Sequence, residues 1–249
     1  RHLGAFGVVM ALKERAAPAC RVIPLERPAA STGAGDGQIL LVRAPQRRAV
    51  PAMLREVACT DTSFTKLMLF DELATGKIRE EGSGDEFVSF IDATGGGMNA
   101  TQSYVYARFT SKGLEKLSLT DDDAFSSLDW EVAFRRYVIR LNSGVSGPGD
   151  VRGGRTAPMT QFADLSEVPA SLELRTEEYF TGDSCEYVSD GSGIGAPATA
   201  LASYWTYKSC LQMTKNVYVL ELPKGKHVKL EVLAYYSLEN QKRCDETGQ

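Results

Sequence analysis

The chain has 249 residues, 43% of them hydrophobic and 24% charged, with a formal net charge of -4. Such a length buries a core without staples and suits one large β domain or two small ones. Mild acidity and scattered Lys and Arg exclude an electrostatic grip on a nucleic-acid backbone and a polybasic membrane patch. His2 and His227 are the only histidines, which leaves almost no material for a multi-histidine metal site or a histidine-based triad.

In chain order, Leu3 to Leu12 forms a short apolar run after Arg1 and His2. It is too short to cross a bilayer as a helix and resembles the apolar part of a signal peptide. Ala17-Pro-Ala-Cys20 places small residues before a cysteine, as at a lipoprotein cleavage site, which makes Cys20 the candidate lipid anchor. Lys13-Glu-Arg15 and Pro18 depart from that pattern. Residues 21–37, with Pro24, Pro28 and a Gly- and Ala-rich stretch, read as a flexible tether. The expected organisation is a signal or anchor remnant and tether over 1–37, one β domain over 38–240 and a tail over 241–249.

From Gln38 onward, short apolar or alternating runs recur between turn signals. Ile39–Arg43, Phe64–Phe70, Phe87–Ile91, Tyr104–Phe109 and Leu114–Leu119 have the length and residue types of strands. The only helix-like stretch is short, Val50–Val57. Gly95-Gly-Gly97 lacks the Lys-Ser/Thr and the helix of a phosphate loop, so it reads as a turn.

Trp130 to Asn142 carries more information. Trp130, Val132 and Phe134 alternate with Glu131, Ala133 and Arg135; after Arg135-Arg136 the phase changes to Tyr137, Ile139 and Leu141. One face stays buried through that change if the strand kinks, so a β-bulge is expected at the paired arginines. Arg152 to Ser203 reads as a long irregular region. Within it Thr181 to Gly195 is a Gly-, Ser- and Asp-rich surface loop that Cys185 can pin through a disulfide. Val217–Leu222 and Lys226–Leu233 form a hairpin around Pro223-Lys-Gly225. Val228, Leu230 and Val232 take its inner face, and His227, Lys229 and Glu231 its wet face.

These blocks resemble the HmuY family of bacterial haem-binding proteins. Ser127-Leu-Asp-Trp-Glu-Val-Ala-Phe-Arg-Arg-Tyr137 is similar to the family's Trp-Asp-φ-Ala-Phe-x-Arg block, where φ is apolar. Ile139-Arg-Leu-Asn-Ser-Gly-Val-Ser-Gly-Pro-Gly149 is similar to its Asn-Gly-Gly-x-Ser-Gly turn, and Phe162-Ala-Asp-Leu-Ser-Glu-Val-Pro169 to the linker that follows. Tyr204-Trp-Thr-Tyr207, Val217-Tyr-Val-Leu220 and Lys229-Leu-Glu-Val-Leu-Ala-Tyr-Tyr236 are similar to its closing blocks. The resemblance covers roughly residues 103–236, with a looser match over 38–102.

It implies an all-β fold, with antiparallel sheets in a single compact domain, long loops and little helix. It also implies an outer-membrane lipoprotein or secreted protein that captures haem or a related tetrapyrrole. Relatives grip the iron with two His or two Met. No His lies between Trp130 and His227, so Met159 and Met213 become the candidate axial ligands, since a thioether can hold haem iron. Cys210 is a further candidate as a thiolate, against a disulfide to Cys185 or to Cys244. Tyr137, Trp205 and Tyr207 are the candidate ligand-lining aromatics.

Two other functions suit the same scaffold: a binding module for another apolar or aromatic ligand, and a structural or interaction lipoprotein without a small ligand. An enzyme is the weakest reading, because no nucleophile-and-base set occurs in a recognisable motif. Asp129 and Glu131 straddle Trp130 and read as surface acids.

Overall fold

The computed structural model describes residues 7–15, 59, 62, 65–83, 86–97, 99–181 and 184–248. Every strand pairing in it is antiparallel. One sheet has six strands in the order β2 (Ile78–Ser83), β3 (Glu86–Asp92), β1 (Gly7–Arg15), β14 (Lys226–Ala234), β13 (Val217–Leu222) and β8 (Arg152–Arg155). A second has four, in the order β5 (Gly113–Lys116), β4 (Val105–Thr110), β6 (Val132–Arg135) and β7 (Val138–Leu141). Two small pairs complete the set: β9 (Phe180–Thr181) with β10 (Glu186–Tyr187), and β11 (Trp205–Lys208) with β12 (Cys210–Met213).

Period-two alternation explains how the sheets meet. Val132 and Phe134 of β6, Ile139 and Leu141 of β7, and Val228 and Leu230 of β14 share one buried cluster. The opposite face of the four-stranded sheet meets a second cluster containing Tyr106, Trp130, Ala133 and Tyr179. The four-stranded sheet is therefore covered on both sides, and all four β6 residues are buried.

The phase change after Arg135 has a different cause from the expected bulge. Phe134 pairs with Ile139 and Arg135 with Val138, so Arg136 and Tyr137 form a two-residue hairpin loop. Arg136 takes φ 53, as primed hairpin turns require, without the usual Asn or Gly. Phe64–Phe70 is a second correction. Its described residues, from Thr65 on, are helical, turn or irregular, with Leu67 and Leu69 buried in the second cluster. Ile39–Arg43 and Val50–Val57 lie outside the described residues.

The expected wet face of the last hairpin is covered. Lys229 is only 8% exposed, because the 162–165 segment lies over it. Its ammonium donates to the carbonyls of Phe162 and Leu165 and stands 4.3 Å from the centre of the Phe162 ring. His227 is half-buried, with Nε2 3.5 Å from a Glu221 oxygen. The chain also ends differently from the expected tail. α2 (Leu238–Thr247) is capped by Ser237 at its N-terminus and by left-handed Gly248 at its C-terminus. An earlier single turn, α1 (Asp121–Ala124), carries a capping box from Thr120 and Asp123.

The Asn142–Gly149 turn shows why its glycines are there. Asn142 Nδ2 donates to the carbonyls of Ser127 and Trp130, and its Oδ1 accepts from Gly149 N. A Cβ on Gly147 would lie 2.3 Å from Asn142 Oδ1 and 2.8 Å from Trp130 Cζ2. We expect Gly147→Ala to cost about 1–3 kcal/mol in chemical denaturation, the usual penalty for overpacking. A neutral result would mean that the turn can shift away from Trp130.

Candidate functional site

Beneath the Trp130–Tyr137 block lies a buried polar network. Asp121 accepts from Phe70 N, Tyr104 N and the Tyr106 hydroxyl at 2.8–2.9 Å. The Arg135 guanidinium sits 3.6 Å from the same carboxylate and donates to the carbonyls of Leu67 and Gln102. It also stacks 4.3 Å from the Tyr104 ring centre. Arg140, fully buried, donates to Ser146 Oγ and Ser146 O, and its guanidinium lies 4.7 Å from the centre of the Tyr104 ring, which Arg135 also faces. These bonds hold the strand ends, the 67–70 segment and the hairpin turn in one frame.

Glu177 plays a similar part between β7 and the later loops. Its carboxylate accepts from Leu141 N and Ala200 N, and its own N–H donates to Ser143 Oγ. Burial pushes the carboxyl up to about 7, against those two N–H donors and the charges of Arg175 and Arg140. The folded state therefore takes up a proton between the usual 4.5 and about 7. Stability falls as pH rises through that window and levels off above it. Denaturation midpoints of the wild type should drop between those pH values, and Glu177→Gln should flatten that limb while lowering stability at every pH. An unchanged slope in Glu177→Gln would assign the effect to another group.

Against this frame, beside the Arg136–Tyr137 turn, lies a cavity of about 120 Å³. Three groups of residues wall it: Lys66 to Met68 with Asn99, Ala100 and Tyr104, then Arg135 to Val138, then Tyr187 with Gly195 to Pro197. A disulfide bonds Cys59, seven positions before Lys66, to Cys185, two positions before Tyr187. The Tyr187 hydroxyl donates to Gly195 O, which closes the third wall on itself. Burial pushes the Tyr104 and Tyr187 phenols above their ordinary value, so both stay neutral. Met68, at φ 51, is 60% exposed at this cavity.

Two other cavities are less selective in their chemistry. One of about 420 Å³ near the β13–β14 turn is lined by both signs of charge, with Arg152 and Glu221 already paired at 2.6 Å. The other, about 60 Å³, lies where Leu165 to Val168 covers β13 and β14.

The sequence-derived site residues are dispersed. Tyr137 lines the cavity at the turn, and Trp205 stands behind it with ring centres 5.6 Å apart. The Tyr204 hydroxyl donates to Tyr137 O, fixing the turn from below. Tyr207 is 52% exposed on β11. Met213 pairs opposite Trp205 and is buried in the main core. Met159 follows β8 and is 91% exposed, so it makes no buried pair with Met213.

Cys210 is bonded to Cys244, one of the two disulfides expected for it, and so has no thiolate to offer as an iron ligand. Cys185 takes Cys59 rather than Cys210 as its partner. Sequence spacing cannot reveal that connectivity. Cys20 lies outside the described residues. Lys66, Met68 and Tyr187 carried no motif and were not among the expected site residues. Asp129 is exposed, but Glu131 accepts from Phe109 N at 2.6 Å and so serves the sheet. Among the described residues, no three His, Cys, Asp or Glu are grouped to hold a metal ion, and no helix is long and apolar enough to cross a membrane.

Antiparallel sheets and a walled cavity with aromatic and cationic lining define a β-rich domain with a concave site. The chain belongs to the HmuY family: the family model for HmuY protein matches residues 72–247. The match takes in the strands from β2 onward as well as α2, and so extends beyond residues 103–236 at both ends. This is a family of binding proteins associated with haem, and its members are envelope-associated or secreted. No curated protein matches the chain.

Proposed function

We propose that the protein captures haem or a related tetrapyrrole, without catalysis, at the cell envelope or outside the cell. Family membership over residues 72–247 carries this reading. The walled cavity with Tyr137 on its side supports it, since small-molecule sites are concave, mostly preformed and marked by a few polar groups. Met159 offers a thioether that is already exposed, whereas Met213 would have to leave the core to reach iron. Disulfide arithmetic supports Cys20 as the lipid anchor. Four of the five cysteines are paired, and Cys20 is the one left over.

The test is an absorbance titration with ferric and ferrous haem under non-reducing conditions, on the wild type and on Met159→Ala with Met213→Ala. A saturable Soret shift at one equivalent is expected, altered in the double variant. No spectral change at stoichiometric haem overturns the proposal. The fold surviving while another flat aromatic ligand binds would move the function to a different apolar cargo.

A further inference from the structure

Arg140 is a cation sealed inside the protein without an ion pair. It is fully buried, and among the described residues no carboxylate lies within salt-bridge distance of it. Both of its bonded acceptors are neutral: Nε donates to Ser146 Oγ at 2.8 Å and Nη2 to Ser146 O at 2.9 Å. Nη1 has no hydrogen-bond partner. The rings of Tyr104, Phe125 and Trp130 stand with their centres 4.7, 5.8 and 5.9 Å from the guanidinium carbon. Ring faces soften the burial of a cation but leave its N–H groups unbonded.

A second orphan stands beside the first. The Tyr179 hydroxyl, also fully buried, has no hydrogen-bond partner. Burial pushes its phenol up, opposed first by the charge of Arg140 and also by Ser146, so it stays protonated. The Tyr104 phenol leans toward Arg140 as well, without bonding Nη1. The two carboxylates of the frame are committed elsewhere. Asp121 serves Phe70 N, Tyr104 N, the Tyr106 hydroxyl and Arg135, and Glu177 serves Leu141 N and Ala200 N.

The unmet groups are therefore all donors: two N–H on Nη1 and one phenolic O–H. A water would accept from them but would bring two hydrogens of its own, and Ser146 Oγ and Ser146 O already serve Arg140. An anion accepts without donating and also neutralises the buried cation. Among apolar ring faces, a phosphate or sulfate with four oxygens to satisfy finds too few donors, so the anion is small.

We propose that Arg140 Nη1 and the Tyr179 hydroxyl hold one small monovalent anion, of the halide class, inside the protein beside Ser146 and Trp130. It fastens β7, which carries Arg140, to the segment that carries Tyr179. The site is independent of haem capture, because it is closed to solvent and serves the fold.

Bromide is the first probe. Crystals of the full chain soaked in sodium bromide should show anomalous scattering within hydrogen-bond reach of Arg140 Nη1 and the Tyr179 hydroxyl. Density there without an anomalous signal is water and overturns the proposal. Chloride is the second probe, exchanged for gluconate at constant ionic strength while urea unfolds the protein. Above the dissociation constant, a tenfold rise in chloride should raise the folding equilibrium constant about tenfold. Tyr179→Phe keeps the ring and removes one donor, so its response should move to higher chloride. Lys242→Gln with Arg243→Gln on α2 removes two surface cations and should respond as wild type. An unchanged response in Tyr179→Phe, or a response lost in the α2 variant, overturns the proposal. A bromide peak without any chloride response marks an adventitious ion only and overturns it too.

Discussion

Asp121→Ala should cost about 3–5 kcal/mol in chemical denaturation, the range expected when one partner of a buried charge pair is removed. The carboxylate satisfies Phe70 N, Tyr104 N and the Tyr106 hydroxyl, and its loss leaves those donors without their acceptor and the buried Arg135 charge without its counter-ion. Asp121→Asn keeps one acceptor oxygen and should fall between. Tyr104 and Arg135 also wall the cavity at the turn, so ligand affinity should drop along with stability. A loss below about 1 kcal/mol would show that solvent reaches these groups and that the network is not a buried frame.

The second large effect is expected from Cys59→Ser with Cys185→Ser. Native disulfides typically contribute about 2–5 kcal/mol, and the contribution grows slowly with the length of the closed loop. The separation is 126 residues here and 34 for Cys210–Cys244. Chain entropy alone therefore favours the Cys59–Cys185 bond by about 1 kcal/mol. The two variants should differ more clearly in where they loosen. Without Cys59–Cys185, hydrogen exchange should accelerate at residues 66–68 and 187–197, the stretches that follow its two cysteines in the chain. Without Cys210–Cys244, it should accelerate in β12 and α2. Identical exchange maps would show that the first bond does not set the cavity's width.

The strands were legible where one face is buried and a turn follows. Phe87–Ile91, Tyr104–Phe109, Val217–Leu222 and Lys226–Leu233 all fall within or largely within strands. At Arg135-Arg136 the sequence carried the phase change but hid its cause. A two-residue loop shifts alternation as a bulge does, and Arg136 adopts positive φ without the Asn or Gly that advertises such a turn. Phe64–Phe70 shows the limit of apolar runs, since Leu67 and Leu69 are buried from irregular backbone. α2 escaped notice because Gln241 and Cys244 are its buried residues, too few to show a helical period.

The site was less legible than the fold. Tyr137 could be chosen as an aromatic beside a family block, but its neighbours Lys66, Met68 and Tyr187 arrive from far along the chain and share no motif. The inward commitment of Arg135 and the place of Arg136 in the turn are equally invisible in a pair of identical letters. Only the turn geometry separates them.

β1 bears on the proposed lipid anchor at Cys20. Gly7–Arg15 pairs with β3 along one edge and with β14 along the other, so it divides the six-stranded sheet into β2–β3 on one side and β14–β13–β8 on the other. A peptidase cutting just before Cys20 would remove that strand and leave two open edges facing each other across the gap. Those edges would have to rejoin or take up another strand, because open edges recruit partners. The paired strand and the cleaved leader are thus mutually exclusive fates for the same nine residues. Precursor and processed chain, if both exist, would carry different sheets, and mass spectrometry of the amino terminus alongside hydrogen exchange in β3 and β14 would show which one a given preparation holds.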